Sequence, residues 1–168
     1  YPSELTGLTT NLVFYNHVFP ESSGDGSASV GKSNEQEALL AVEVSNYLLW
    51  HNYEGRNIAI LTPYLAQVAH VKRCIGELVK RGGLRDLSNI KVSSIDDVQG
   101  EEFDVVVVSL VRSSRGPNLK GFEHNEKPSE LRKSAGKAIG FIGKEDRINV
   151  ALSRARLGMV VLGNFEHL

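Results

Sequence analysis

Two arginines near the end of the chain, Arg147 and Arg154, stand seven residues apart in the stretch DRINVALSRAR. Seven residues are two helical turns with a drift of only ~20°, so on a helix both guanidinium groups project from nearly one face. Ile148, Leu152 and Ala155 recur at helical spacing and predict an amphipathic helix there. Leu157-Gly158 is expected to stop it, as glycine commonly does just past a last turn, and Met159 to Leu162 reads as a short buried strand. A helix running straight into a strand holds a guanidinium at a fixed place, where it can meet an anion. The structural alternative is that cations near a helix C-terminus gain ~0.3–1 kcal/mol from the macrodipole alone. One arginine by itself decides nothing between the two.

A second stretch with chemical content is GSASVGKS, Gly26 to Ser33, which satisfies the pattern GxxxxGK[ST]. Loops of that kind cradle phosphates on backbone N–H groups, with lysine reaching the terminal phosphates and serine holding magnesium. A predicted strand precedes it and a predicted helix follows. Two features count against it: the first glycine lies well beyond the strand, and no strand ends in an acidic residue that would help to hold magnesium. Loops of small residues match this pattern by chance.

The elements that must carry these groups alternate. Leu12 to Val18 (LVFYNHV) reads as a first strand. Asn34 or Ser33 can cap a helix, with Gln36 and Glu37 in capping-box position and Leu39, Val42, Leu48 and Leu49 as its apolar residues, ending near Trp50. Asn57 to Leu61 is a buried strand, followed by the turn TPY and a helix from about Ala66 to Lys80 that Gly82-Gly83 ends. Ile90 to Ser93 is a further strand leading into the polar loop SIDDVQGEE. Asp104 to Val111 (DVVVVSLV) shows no alternation, the mark of a strand covered on both faces in a parallel sheet. Helices between such strands predict an α/β fold. Ligands then sit outside the carboxyl ends of the strands, so the loops after Leu61, Ser93 and Val111 are expected to share the edge that carries the chemistry. Residues 115–138 break the pattern with two prolines, three glycines and six Lys/Arg against three Glu, and read as a mobile insertion.

Composition excludes little else. With 41% hydrophobic and 23% charged residues the chain reads as one globular domain of 168 residues. A net charge of -1 means that binding to nucleic acid would rest on a local patch. No apolar run approaches the ~20 residues of a membrane helix. No signal-peptide pattern opens the chain, and the lone Cys74 cannot form an internal disulfide. An intracellular setting, nuclear or cytoplasmic, is therefore expected. The first residue is Tyr1 rather than methionine, which suggests a piece of a larger protein.

The segments ILTPYLAQ, SIDDVQGEEFDVVVVSLVRS and IGFIGKEDRINVALSRARLGMVVLGN together resemble the second RecA-like domain of superfamily 1 helicases of the up-frameshift-like group. The QGEE, SLVRS and ALSRAR wording is most like the RNA-interference-linked zinc-finger helicases of that group. Lys32 to Ala38 resembles the family's S-x-N-x-x-E-A entry into the first helix, which accounts for the phosphate-loop match. The family usually runs quickly from VRS to IGF, whereas about two dozen residues intervene here.

The resemblance implies a RecA-like domain with a mostly parallel sheet flanked by helices, the fold of P-loop nucleotide hydrolases without a working phosphate loop of its own. It implies ATP and Mg2+ in the full enzyme, held in a cleft by a first RecA-like lobe, with no tight binding to this lobe alone. Arg154 matches the arginine finger, which stabilises charge on the γ-phosphoryl oxygens and is worth ~10³–10⁵ in rate in related hydrolases. Arg147 is a weaker candidate from the same face, and Arg156 reads as structural. Glu102 matches the glutamate that accepts from the ATP ribose, Gly100 lets the backbone come close, and Gln99 links the nucleotide and nucleic-acid loops. Glu101 reads as part of an acidic turn. Thr62 and Ser94 match contacts to a nucleic-acid backbone, and Tyr64 could stack on a base. Gln67 and Arg112 lie near the same edge without an assigned contact.

The expected function is the C-terminal motor lobe of an ATP-dependent RNA or DNA helicase, inactive as a hydrolase by itself. Its partners would be the first lobe and single-stranded RNA or DNA, with any protein partner at the surface or the 115–138 loop, and no membrane. This reading requires that Arg154 not be buried in a salt link facing away from the shared sheet edge. Its rivals are a partner-docking or RNA-binding module without catalysis, and a small free-standing hydrolase using Gly26 to Ser33.

Overall fold

The structure, a computed structural model, describes residues 5–23, 31–82, 84–113, 149–151 and 153–164. The 115–138 stretch, Arg147 and Leu152 therefore lie outside the described residues, as does most of the glycine-serine loop before Gly31.

Five strands form one sheet: β1 (Leu12–Asn16), β4 (Ile58–Thr62), β5 (Lys91–Ser94), β6 (Phe103–Ser109) and β7 (Ala155–Gly163). Their order is β1-β7-β6-β4-β5 and every pairing is parallel. Two short strands, β2 (Ser22–Ser23) and β3 (Lys32–Ser33), pair antiparallel as a separate ribbon. The unbroken valines of DVVVVS explain the central place of β6. Val105 and Val107 join the core cluster with Ile58 and Ile60, while Val106 and Val108 join the other with Ala59 and Leu61. Alternate residues of a strand point to opposite faces, so each face of the sheet has its own core and needs its own cover.

One face is covered by α1 (Glu35–Trp50) and α2 (Leu65–Lys80). Asn34 caps α1, its side-chain oxygen accepting from the Glu37 N–H at 3.0 Å. The second half of the expected capping box does not form. The Glu37 carboxylate turns inward instead, and the Asn34 N–H donates to Gln67 Oε1 at 2.8 Å. The inward face of α1 consists of Ala38, Ala41, Val42, Ser45, Leu48 and Leu49, whereas Leu39 is half exposed. Gly82, with φ +92, follows α2 in the left-handed conformation that glycine adopts without cost.

The largest departure from expectation is at the end of the chain. Residues 149–151 are helical, Ser153 and Arg154 form a turn, and β7 already begins at Ala155. Leu157-Gly158 thus lies inside a strand and stops no helix. Gly158 is there for close approach: a Cβ would stand 1.9 Å from Leu5 Cδ1 and 2.7 Å from the Asn11 carbonyl. Leu5 packs on the glycine, and the pairing of β1 with β7 begins there, the Met159 N–H donating to the Asn11 carbonyl at 2.8 Å.

Candidate functional site

Because all five strands run the same way, the sheet has one amino edge and one carboxyl edge. The predicted residues divide between them. Gly100, Glu102 and Arg154 lie where β6 and β7 begin, whereas Thr62, Tyr64 and Ser94 lie where β4 and β5 end. The loops after Leu61, Ser93 and Val111 do share the carboxyl edge, as expected, but Gly100, Glu102 and Arg154 lie at the opposite one. Residues 95–102 leave the carboxyl end of β5 and must reach the amino end of β6, so this one segment joins both edges. Gln99 sits on it, exposed, just after a short 3-10 turn (Ile95–Val98) that Ile95 and Val98 anchor in the core.

At the amino edge the Arg154 guanidinium is half-buried and held by three oxygens. Nε donates to the Val150 carbonyl at 3.2 Å, one terminal nitrogen to the Glu101 carbonyl at 3.1 Å, and the other to Ser153 Oγ at 3.0 Å. No carboxylate pairs with it among the described residues. Among the described residues its charge is thus oriented without being neutralised, an arrangement suited to an incoming anion. The Arg154 carbonyl accepts from the Phe103 N–H at 2.9 Å, which fixes the arginine against the QGEE loop. Gly100 has φ +86 with nothing within 4 Å of a would-be Cβ, so its glycine serves the backbone turn and leaves open space above it. Glu102 is exposed beside it. Glu101 pairs with Lys91 at 3.0 Å, and Arg156 pairs with Asp104 at 2.6 Å, both as surface ion pairs. Arg147 lies outside the described residues.

At the carboxyl edge, Thr62 is fully buried and its hydroxyl has no partner among the described residues. A contact from that hydroxyl to a ligand needs the turn above it to move. Ser94 is almost buried and donates to Asp97 at 2.7 Å. Tyr64, half-buried, precedes α2.

Two polar clusters that the sequence reading missed organise this edge. Glu37, fully buried, receives His17 Nε2 at 2.7 Å, Ser109 Oγ at 2.7 Å and the Val111 N–H at 2.9 Å. The Phe19 N–H donates to His17 Nδ1 at 3.2 Å, which leaves Nε2 to carry the proton given to Glu37. Gln67 joins in, its Nε2 donating to Ser109 Oγ and to the Asn34 carbonyl, both at 3.0 Å. Gln67 is thus a buried bracket. The second cluster is a clasp around Glu21, which bonds Lys32 Nζ, Arg112 Nε at 2.9 Å and the Ser113 N–H at 3.2 Å. Burial alone would push the Glu21 carboxyl up, but its bond to Lys32 and the charges of Arg112 and Lys32 outweigh that and hold it below the usual carboxylate range. The clasp also bears on the phosphate-loop match, because Lys32 sits in a β-ribbon with its ammonium committed to Glu21. The sequence signal for Glu37 was present in NEQEA, but a glutamate in a first turn reads equally well as a cap.

A parallel sheet flanked by helices defines the class: an α/β domain of the nucleotide-hydrolase type, RecA-like in architecture. The AAA domain family matches residues 3–166. The chain is 35% identical over 167 residues to NFX1-type zinc finger-containing protein 1 of Mus musculus. It is 34% identical over 148 residues to DNA polymerase alpha-associated DNA helicase A of Saccharomyces cerevisiae, and 32% identical over 156 residues to ATP-dependent helicase upf1 of Schizosaccharomyces pombe. These matches take in 98%, 88% and 91% of this chain but only 7%, 18% and 14% of the respective relatives. The chain belongs to the AAA domain family as it occurs in superfamily 1 helicases of the up-frameshift-like group. Among the described residues no helix is long and apolar enough to cross a membrane.

Proposed function

We infer that this domain is the second, C-terminal motor lobe of an ATP-dependent helicase acting on RNA or DNA. The observation that carries the reading is Arg154, half-buried, tethered to two carbonyls and a hydroxyl and facing no carboxylate among the described residues. Such a guanidinium can stabilise the negative charge that spreads over γ-phosphoryl oxygens in phosphoryl transfer. Glu102 accepts from the ribose, and Gly100 allows the nucleotide close to the backbone. The amino edge is then the nucleotide side, and the end of the sheet with Thr62, Tyr64 and Ser94 is the single-strand side. Residues 95–102, with Gln99, connect the two. ATP with Mg2+ is held by the phosphate loop of a first lobe, and hydrolysis lets the lobes close and open along one strand.

The test is ATP turnover by this chain alone. The expected result is no hydrolysis above background, because the phosphate loop and magnesium ligand belong to the other lobe. Turnover by the isolated chain that Lys32→Ala abolishes would overturn this reading and restore Gly26 to Ser33 as a phosphate loop.

A further inference from the structure

Val111 has φ +69, the left-handed region that a β-branched residue adopts only as a genuine outlier. The Arg112 N–H donates back to the Leu110 carbonyl at 2.7 Å, closing a three-residue turn of the rare, strained γ kind around it. This turn follows directly on β6, the central strand. It carries Arg112 into the Glu21 clasp and Ser113 to Asn164, whose Nδ2 donates to Ser113 Oγ at 3.0 Å. Asn164 follows β7 and Glu21 follows β1, so the turn leads the chain to the β7 side of the edge and away from the ends of β4 and β5. Strain of this sort persists only where the surroundings over-determine it. The determinant here is a buried carboxylate on a helix far away in sequence. Glu37 Oε1 accepts both the Val111 N–H and the Ser109 hydroxyl, while Oε2 is fixed by His17. Gln67, two residues past the start of α2, bonds the same Ser109 hydroxyl. Ser109 stands beside Thr62 in the sheet, since the register pairs Leu61 with Val108.

We propose that Glu37 is a positioning residue for the single-strand edge. Through Ser109 and the strained turn at Val111 it sets the course of the chain leaving β6, and through Gln67 it ties that course to the start of α2, where Tyr64 stands. It touches neither ligand. This inference rests on the carboxyl edge being the nucleic-acid side.

The test is Glu37→Gln in the full-length helicase, with two affinities measured side by side: one for a fluorescein-labelled oligouridylate and one for a non-hydrolysable ATP analogue. Amide hydrogen exchange at Val111 to Ser113 is followed in the same samples. The expected result is faster exchange at those amides and an oligouridylate affinity lowered about tenfold, with analogue affinity unchanged, since the amino edge lies across the sheet. A merely structural role would lower both affinities together, and that outcome, or an unchanged oligouridylate affinity in a folded variant, overturns the proposal. Should Glu37→Gln fail to fold, Ser109→Ala removes one arm of the same brace and is expected to give the same one-sided loss, about threefold. If the wild-type protein bound no single strand at all, the reading of the carboxyl edge would fall and this inference with it. Binding that is equal in wild type and variant sinks the inference alone.

Discussion

At the scale of single residues, Arg154 and Arg156, two residues apart, illustrate how environment assigns roles. Arg156 forms an exposed pair with Asp104, and such pairs contribute ~0–1 kcal/mol. Arg156→Ala is therefore expected to leave ATP turnover unchanged and the melting temperature within a few degrees, which a thermal melt and a steady-state assay would check. Arg154 differs because its partners among the described residues are uncharged oxygens, which leave its charge unpaired there. Glu102 is exposed and follows Glu101, whose carbonyl holds that guanidinium. A lost hydrogen bond from a ribose hydroxyl to a charged acceptor costs ~1.5–3 kcal/mol. Glu102→Ala in the full helicase is expected to raise KM for ATP about tenfold or more while sparing kcat, the pattern of lost uniform binding. A drop in kcat at constant KM would move Glu102 from binding into the chemistry.

At the scale of elements, the Glu21 clasp joins the β2–β3 ribbon to the chain leaving β6. Its folded-state carboxyl lies below the ordinary value, so its stabilisation is fully present above the unfolded pKa and is lost as pH falls through the lower, folded one. Denaturant melts of Glu21→Gln should show a loss of about 1–3 kcal/mol near neutral pH. The gap from wild type should close in the acid range, below the usual carboxylate pKa. A gap that stays constant into strong acid would contradict the clasp. Gly158 provides a second test at this scale. Its missing side chain admits Leu5 and the Asn11 carbonyl over β7, and a Cβ would overlap backbone as well as side chain. Gly158→Ala is expected to destabilise by about 1–3 kcal/mol, as overpacking does. An unchanged melting temperature would mean that Leu5 and the Asn11 carbonyl do not pack on the strand there.

Much of the frame was legible in the sequence because hydrophobic period reports burial. The valines of β6, the Asn34 cap of α1 and the glycine stop of α2 read out directly. What stayed hidden was set by partners distant in sequence. Gly158 looks like a helix stop until Leu5 is seen packed on it. Glu37 looks like a capping residue until His17, Ser109 and Val111 converge on it. The division of the site between two edges also escaped the sequence reading. It depends on strand direction and on where a loop returns, and no local pattern encodes either.

At the scale of the whole molecule, the proposed function assigns the nucleotide to one edge of the sheet and the single strand to the other, with residues 95–102 running between them. The division of labour predicts that damage at one edge is felt first by the ligand of that edge. Removing the arginine at the amino edge should stop chemistry while the carboxyl edge still grips its strand. The most direct measurement is ATP turnover and oligouridylate affinity of Arg154→Ala in the full-length helicase. A fall in kcat of about 10³-fold or more, with strand affinity within about twofold of wild type, is the predicted result. Turnover at the wild-type rate would contradict the account at its centre.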